Sequence, residues 1–233
     1  MTVLFWDIDG TLLTTAKAGV FAWEDAVREF TGRSDFELAK MRIAGMTDYQ
    51  IAVRTFETLG VEADEVFLRR FVDRYGELLP TSLPRKKGRV LPNVREILEH
   101  LRGRLDVRSY LLTGNTRAGA TAKLTHYDLV HFFPDGAFAE DAGARSSIAR
   151  RGLALARQAG PVTDNHVYVI GDTPHDIECA RAINAKTIAV ATGGYTAAEL
   201  KEHDPWRLFE ELPQPDDFIR LIEDDGPGSI DVA

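Results

Sequence analysis

Four short apolar runs recur along the chain, and each stops abruptly at polar or glycine-rich positions. Val3–Trp6 gives way to Asp7 and then to Gly10-Thr11. Ser109–Leu112 ends at Thr113-Gly114-Asn115, Val167–Ile170 at Gly171-Asp172, and Thr187–Val190 at Ala191-Thr192-Gly193-Gly194. Runs of this kind bounded by turn-forming residues read as strands buried on both faces. Between them the spacing changes to a helical period. Val94, Ile97, Leu98 and Leu101 stand at i, i+3, i+4 and i+7, and residues 116–125, 146–159 and 174–183 are further expected helices, the last beginning at Pro174. Alternation of strand and helix predicts an α/β protein with a doubly wound parallel sheet.

Residues 15–87 break that alternation. Val20, Trp23, Val27 and Phe30 share one helical face, Ala52, Phe56 and Leu59 a second, and Phe67, Phe71, Tyr75 and Leu78 a third. Thr47 and Gln50 have the spacing of a capping box at the start of the second helix. The expectation is an all-helical domain at 15–87 inserted into a core made of 1–14 and 88–233, with hinges at Leu13–Ala16 and Pro84–Gly88. The insert segment Arg42–Asp48 combines a cation, a glycine and a carboxylate between two helices. It reads either as an interhelical turn capped by Thr47 or as a stretch that descends toward a site. The final stretch, Asp224 to Ala233, is acidic and rich in Gly and Pro and is expected to fray.

Charge and composition narrow the partners. The net charge is -8 and Arg85-Lys86-Lys87 is the lone basic cluster, so a nucleic-acid partner is not expected. The single cysteine, Cys179, excludes an intramolecular disulfide and reads as a small buried hydrophobe. Two aspartates interrupt the N-terminal apolar stretch, which argues against a signal peptide. No apolar run approaches the ~20 residues of a membrane span. Together these predict a cytoplasmic chain with no membrane partner.

Ligands of open α/β sheets collect beyond the carboxyl ends of the strands. That rule brings Asp7, Asp9, Thr113, Asn115, Asp172 and Asp176 into one crevice. Four carboxylates crowded together repel one another unless a cation sits among them, and Mg²⁺ suits oxygen ligands facing a phosphate. Asp7 and Asp9 are two apart, with Ile8 free to turn back into the core. One carboxylate can attack phosphorus, and the other can give a proton to the leaving oxygen and later take one from water. Gly10 lets the backbone turn and approach a substrate closely, and Thr11 steadies the loop. Taken singly, each feature has a plainer reading: a strand-end turn at Asp7 and Asp9, a helix cap at Thr113, and caps of the helix at Pro174 for Asp172 and Asp176.

The run Asp7-Ile-Asp-Gly-Thr-Leu12 after an apolar strand resembles the first motif of the haloacid dehalogenase superfamily in its phosphatase form. Leu112-Thr113-Gly114-Asn115 resembles the second motif, and Gly171-Asp172-Thr-Pro-His-Asp176 the fourth. Order, spacing and the helical insert after the first motif fit the same family, over residues 3 to about 210. The resemblance implies a Rossmann-like core with a helical cap and a Mg²⁺-dependent, phosphoglycolate-phosphatase-like hydrolase acting on a small phosphorylated metabolite, as a monomer or homodimer. It implies Asp7 as nucleophile and metal ligand, and Asp9 as acid/base with its backbone carbonyl on the metal. Gly10, Thr113, Gly114 and Asn115 would contact the phosphoryl group, Asp172 would ligate Mg²⁺, and Asp176 would orient the metal's waters. The family's third motif places a cation, usually lysine, ahead of a helix. Here Arg145 begins such a helix and is the expected cation, with Lys123 and Arg150 as competitors. His175 falls at a position the family leaves free and is expected at the surface. A phosphomutase resembling β-phosphoglucomutase, and a binding module that only accepts phosphate, remain alternatives.

Overall fold

The computed structural model describes residues 1–41 and 43–223. Arg42 and the expected frayed tail, 224–233, lie outside the described residues. The chain runs β1 (Thr2–Trp6), β2 (Leu13–Thr14), α1 (Gly19–Thr31), α2 (Asp48–Leu59), α3 (Glu65–Ser82), β3 (Arg89–Val90), α4 (Val94–Arg102) and β4 (Val107–Leu112). It continues through α5 (Arg117–His126), β5 (Gly136–Ala137), α6 (Arg145–Gln158), β6 (Val167–Gly171), α7 (Pro174–Ala182) and β7 (Lys186–Val190). It then closes with α8 (Ala197–Lys201), β8 (Arg207–Phe209) and α9 (Pro215–Glu223).

Six strands form one parallel sheet in the order β5-β4-β1-β6-β7-β8. The chain winds outward from β1 in both directions, so the strand order reverses between β1 and β6. Ligand crevices open at such reversals. Successive strand residues face opposite layers. Val3 and Phe5 join a core with α6, α7 and the insert, whereas Leu4 and Trp6 join α4, α5 and α9 on the other side. Both faces being covered, the strands read as unbroken apolar runs rather than as alternating ones.

The four expected strands are all present. Three features went unforeseen. β5 is two residues long, and β8 carries the partly exposed sequence Arg-Leu-Phe. β2 pairs antiparallel with β3, Leu13 opposite Val90 and Thr14 opposite Arg89, so the first expected hinge meets the residues just after the second as a short ribbon at the base of the insert. Beyond that ribbon the chain turns through Ala16 and Lys17, both in the left-handed region at φ 50° and 66°. That conformation is uncommon for non-glycine residues.

Between Thr14 and Arg89 the described residues form helices and loops, with α1, α2 and α3 as the main elements. An aromatic cluster holds them together. Trp23, Phe30, Phe56, Phe67, Phe71 and Tyr75 meet edge to face with ring centroids 4.8–5.4 Å apart. Such pairs contribute about 0.5–1.5 kcal/mol each beyond burial. The Thr47–Gln50 capping box is formed at the start of α2. α3 crosses α5 of the core at Gly76, where a Cβ would lie 3.1 Å from that of Ala118. A glycine inside a helix costs about 1 kcal/mol relative to alanine, and here it permits the close crossing that brings Tyr75 and Lys123 to one cavity.

Candidate active site

Asp7 follows the last residue of β1 and is buried, with its backbone N–H donating to Ile170 O of β6. Ile8 turns into the apolar layer and is fully buried, and Leu12 and Leu13 N–H close a turn on its carbonyl. The chain therefore leaves the strand with Asp7 and Asp9 both facing a cavity of about 380 Å³ between the core and the insert. Gly10 completes the turn at φ 86°, and a Cβ there would lie 2.4 Å from Asp172 Oδ2. Gly193, after β7, is tighter still, since its Cβ would lie 1.6 Å from the same oxygen. Thr11 Oγ1 donates to Asp172 Oδ1 at 3.2 Å, and Thr192 Oγ1 to the Gly10 carbonyl at 2.5 Å. Two bare glycine backbones and two hydroxyls thus set the position of Asp172. The sequence placed the Gly193-Gly194 pair at a strand end without showing that a carboxylate rests on it.

Asp7, Asp172 and Asp176 each bring a carboxylate oxygen within 4.8 Å of the others, and all three are buried. Arg145, the first residue of α6, lies 2.6 Å from Asp176 Oδ1 and 3.5 Å from Asp7 Oδ1 and donates to the Gly45 carbonyl of the insert at 3.3 Å. Of the three candidate cations, it is the one beside Asp7. Arg150 is exposed on the far side of α6, and Lys123 is paired elsewhere. Burial opposes the charge of Arg145, but Asp176 and Asp7 outweigh it and hold the guanidinium protonated.

One cation does not neutralise three buried carboxylates. Burial, then repulsion from Asp176, pushes Asp7 up to about 7, against the pull of Arg145 and a hydrogen bond from Thr113. The same two causes raise Asp172 well above the usual carboxylate range. Hard oxygen donors at this separation fit Mg²⁺. Asp7 and Asp172 have the oxygens to offer. Asp176 has few to spare: Oδ1 takes Arg145, and Oδ2 takes the backbone N–H of Thr173 at 3.0 Å and its hydroxyl at 2.6 Å, forming the capping box of α7.

The Asp9 carboxylate lines the same cavity but stands outside the acidic cluster. It turns the other way and pairs with Lys123, with Lys123 Nζ 2.5 Å from Asp9 Oδ2. The Asn115 side chain braces the same pair. Nδ2 donates to Asp9 Oδ2 and to Thr113 Oγ1, both at 2.9 Å, and Oδ1 accepts from Lys123 at 2.6 Å. Thr113, at the end of β4, is buried beside Asp7 as expected.

The insert reaches this cavity directly. Val20, Trp23, Ile51 and Tyr75 line it from α1, α2 and α3, and Ile43–Met46 from the loop before α2. Both readings of that loop hold: Thr47 caps α2 while the Gly45 carbonyl meets Arg145. Gly45, at φ 76°, packs on His175, whose Cδ2 a Cβ would approach to 2.2 Å. His175 is half-exposed at the surface, with Gly45 of the insert packed on its ring. Asp48 seals the seam, its N–H donating to Gly114 O and its Oδ2 accepting from Thr116 N–H, each at 2.8 Å. Burial pushes Asp48 up to about 6. Cys179 is buried and its thiol is pushed up to about 12 by burial, which excludes a nucleophilic role.

The family profile of haloacid dehalogenase-like hydrolases matches residues 3–190. No curated relative matches the chain. Among solved structures, a predicted phosphatase from Clostridium acetobutylicum superposes with a TM-score of 0.70 at 15% identity, over 95% of this chain and 98% of its own. A predicted phosphoglycolate phosphatase from Haemophilus somnus gives 0.68 at 18% identity, over 96% and 97%. A hydrolase from Pseudomonas syringae gives 0.66 at 21% identity, over 97% and 100%. At these identities the likeness carries the fold.

Proposed function

This chain belongs to the haloacid dehalogenase-like hydrolase family, and on that premise we propose that it is a Mg²⁺-dependent phosphatase that hydrolyses a small phosphorylated metabolite through an aspartyl phosphate on Asp7. The observation that carries the reading is a pairing of opposites in one cavity. Asp7 sits against Arg145 and the acidic cluster on one side, while Asp9 stands two residues on, clear of that cluster.

Asp7 attacks phosphorus as the P–O bond to the alcohol breaks, and the departing oxygen takes a proton from Asp9. Water then attacks the acyl phosphate, gives its proton to Asp9 and frees Asp7. Thr113 and Arg145 hold phosphoryl oxygens during both transfers. Asp7 and Asp172 would hold Mg²⁺, with Asp176 behind them, and the ion would supply positive charge against the phosphoryl oxygens. The leaving group faces the insert, where Val20, Trp23 and Ile51 make an apolar wall. A cavity of about 380 Å³ that also admits the phosphoryl group suits a small metabolite.

The test is inorganic phosphate release from a panel of phosphorylated metabolites, phosphoglycolate among them, with Mg²⁺ present. At least one small monoester is expected to turn over with kcat near the common enzymatic range of about 1–10³ per second. Isomerisation of a sugar phosphate without phosphate release would instead identify a phosphomutase, and a stable phosphoprotein without turnover a binding module.

A further inference from the structure

Lys123 is the one buried lysine among the described residues, and phosphoryl binding leaves it without a role. It lies on α5, is 5% exposed, and sits in the same cavity as Asp7 and Asp9. Its ammonium reaches Asp9 Oδ2 at 2.5 Å and Asn115 Oδ1 at 2.6 Å. Asn115 closes the triangle by donating from Nδ2 to the same Asp9 Oδ2 at 2.9 Å. Two donors therefore converge on one carboxylate oxygen. Asp9 Oδ1 accepts no hydrogen bond from the described residues, and the side chain is 41% exposed, toward the cavity. Asn115 also ties this triangle to Thr113 Oγ1, beside the nucleophile.

We propose that Lys123 is a positioning residue for the acid/base Asp9: with Asn115 it pins Oδ2 and presents Oδ1 to the leaving oxygen. The assignment rests on the phosphatase reading above. In the first transfer the P–O bond to the alcohol breaks as the bond from Asp7 to phosphorus forms, and the proton passes from Asp9 Oδ1 to the alcohol oxygen. In the second, water's oxygen bonds to phosphorus, the Asp7–phosphorus bond breaks, and water's proton returns to Oδ1. A carboxylate free to rotate about its Cβ–Cγ bond would offer the leaving oxygen no fixed partner. General acid catalysis depends on that geometry before anything else. Asp48 and Tyr75, from α2 and α3, face the same ammonium across the cavity. The insert thus helps fix the lysine that fixes the acid.

The test exploits leaving groups. p-Nitrophenolate departs without a proton, whereas a primary alkoxide needs one. kcat/KM reports only steps up to formation of the acyl phosphate, so Asp9 acting as base in the second step does not enter. In Lys123→Met, kcat/KM for an alkyl phosphate is expected to fall at least about tenfold more than for p-nitrophenyl phosphate. Lys123→Gln, which keeps a donor to Asp9 Oδ2 and serves where the methionine variant does not fold, is expected to show the same bias to a smaller degree. Lys123→Arg is expected to restore part of the alkyl activity. Equal losses on both esters, or none, in a variant with wild-type circular dichroism would overturn the assignment. If the wild-type enzyme with Mg²⁺ hydrolyses neither ester nor any member of the metabolite panel, the phosphatase reading itself falls, and this one with it.

Discussion

Asp7→Asn is expected to release no measurable phosphate, with kcat down by about 10³-fold or more, while circular dichroism and solubility stay those of the wild type. The amide cannot form an acyl phosphate, and no other carboxylate can take its place. Asp172 is set against Gly10 and Gly193, Asp176 is engaged by Arg145 and Thr173, and Asp9 points to Lys123. Losses of this size are usual when a nucleophile is removed from a site whose members act as a unit. Folding should survive, and even gain. The substitution removes a buried charge that burial and Asp176 already disfavour, and Nδ2 or Oδ1 of the amide can still face Thr113. Turnover within about tenfold of wild type would remove Asp7 from the mechanism.

Withdrawing Mg²⁺ is expected to reduce turnover to background, and restoring it to recover the rate. Without the ion, Arg145 alone faces three buried carboxylates. Asp7 then titrates near about 7 rather than at its ordinary value, so part of the nucleophile is protonated at neutral pH. The stability consequence has a definite sign. A carboxyl raised in the folded state binds its proton more tightly folded than unfolded. The contribution of Asp7 to the stability of the metal-free protein is therefore greatest below its unfolded value of 3.8 and is lost as pH rises toward about 7. Asp172, also raised, acts in the same direction. Mg²⁺ binds only the ionised cluster, so it competes with protons. The rise in Tm on adding Mg²⁺ is expected to be several degrees at about pH 8 and close to zero at about pH 5. Differential scanning calorimetry at the two pH values, with and without EDTA, measures it. Full activity in excess EDTA, or a pH-independent Tm shift, would contradict this account of the cluster.

The sheet was legible because its strands are buried on both faces. Val3–Trp6 and Val167–Ile170 are buried apolar runs without a charged residue, and each ends where the chain enters the cavity wall at Asp7 and Asp172. β5 and β8 were not legible, because two residues in one and three partly exposed residues in the other carry no pattern. The carboxylates were legible by type and place: Asp7 and Asp172 stand at the ends of adjacent strands, on either side of the reversal in strand order. Orientation was not. The direction in which the Asp9 carboxylate turns depends on Lys123, which the sequence offered only as a competitor to Arg145 for the place beside Asp7. The burial of Lys123 comes from α3 packing over α5 through Gly76, a contact between segments about 40 residues apart that local periodicity cannot carry. Tyr75 was hidden in the same way, since its ring belongs to the apolar stripe of α3 while its edge lines the cavity. Asn115 lies two residues after Thr113 at the end of β4, and only the three-dimensional arrangement shows that its side chain braces Asp9.

The central claim is that this crevice moves a phosphoryl group onto one particular oxygen-bearing side chain. Acid quenching the enzyme during turnover of a good monoester, followed by proteolysis and mass mapping, tests it most directly. The account predicts a phosphoryl increment on the N-terminal peptide at Asp7, labile to hydroxylamine and absent in Asp7→Asn. A rapidly turning over enzyme that carries phosphate on no residue, or on a residue other than Asp7, would contradict it.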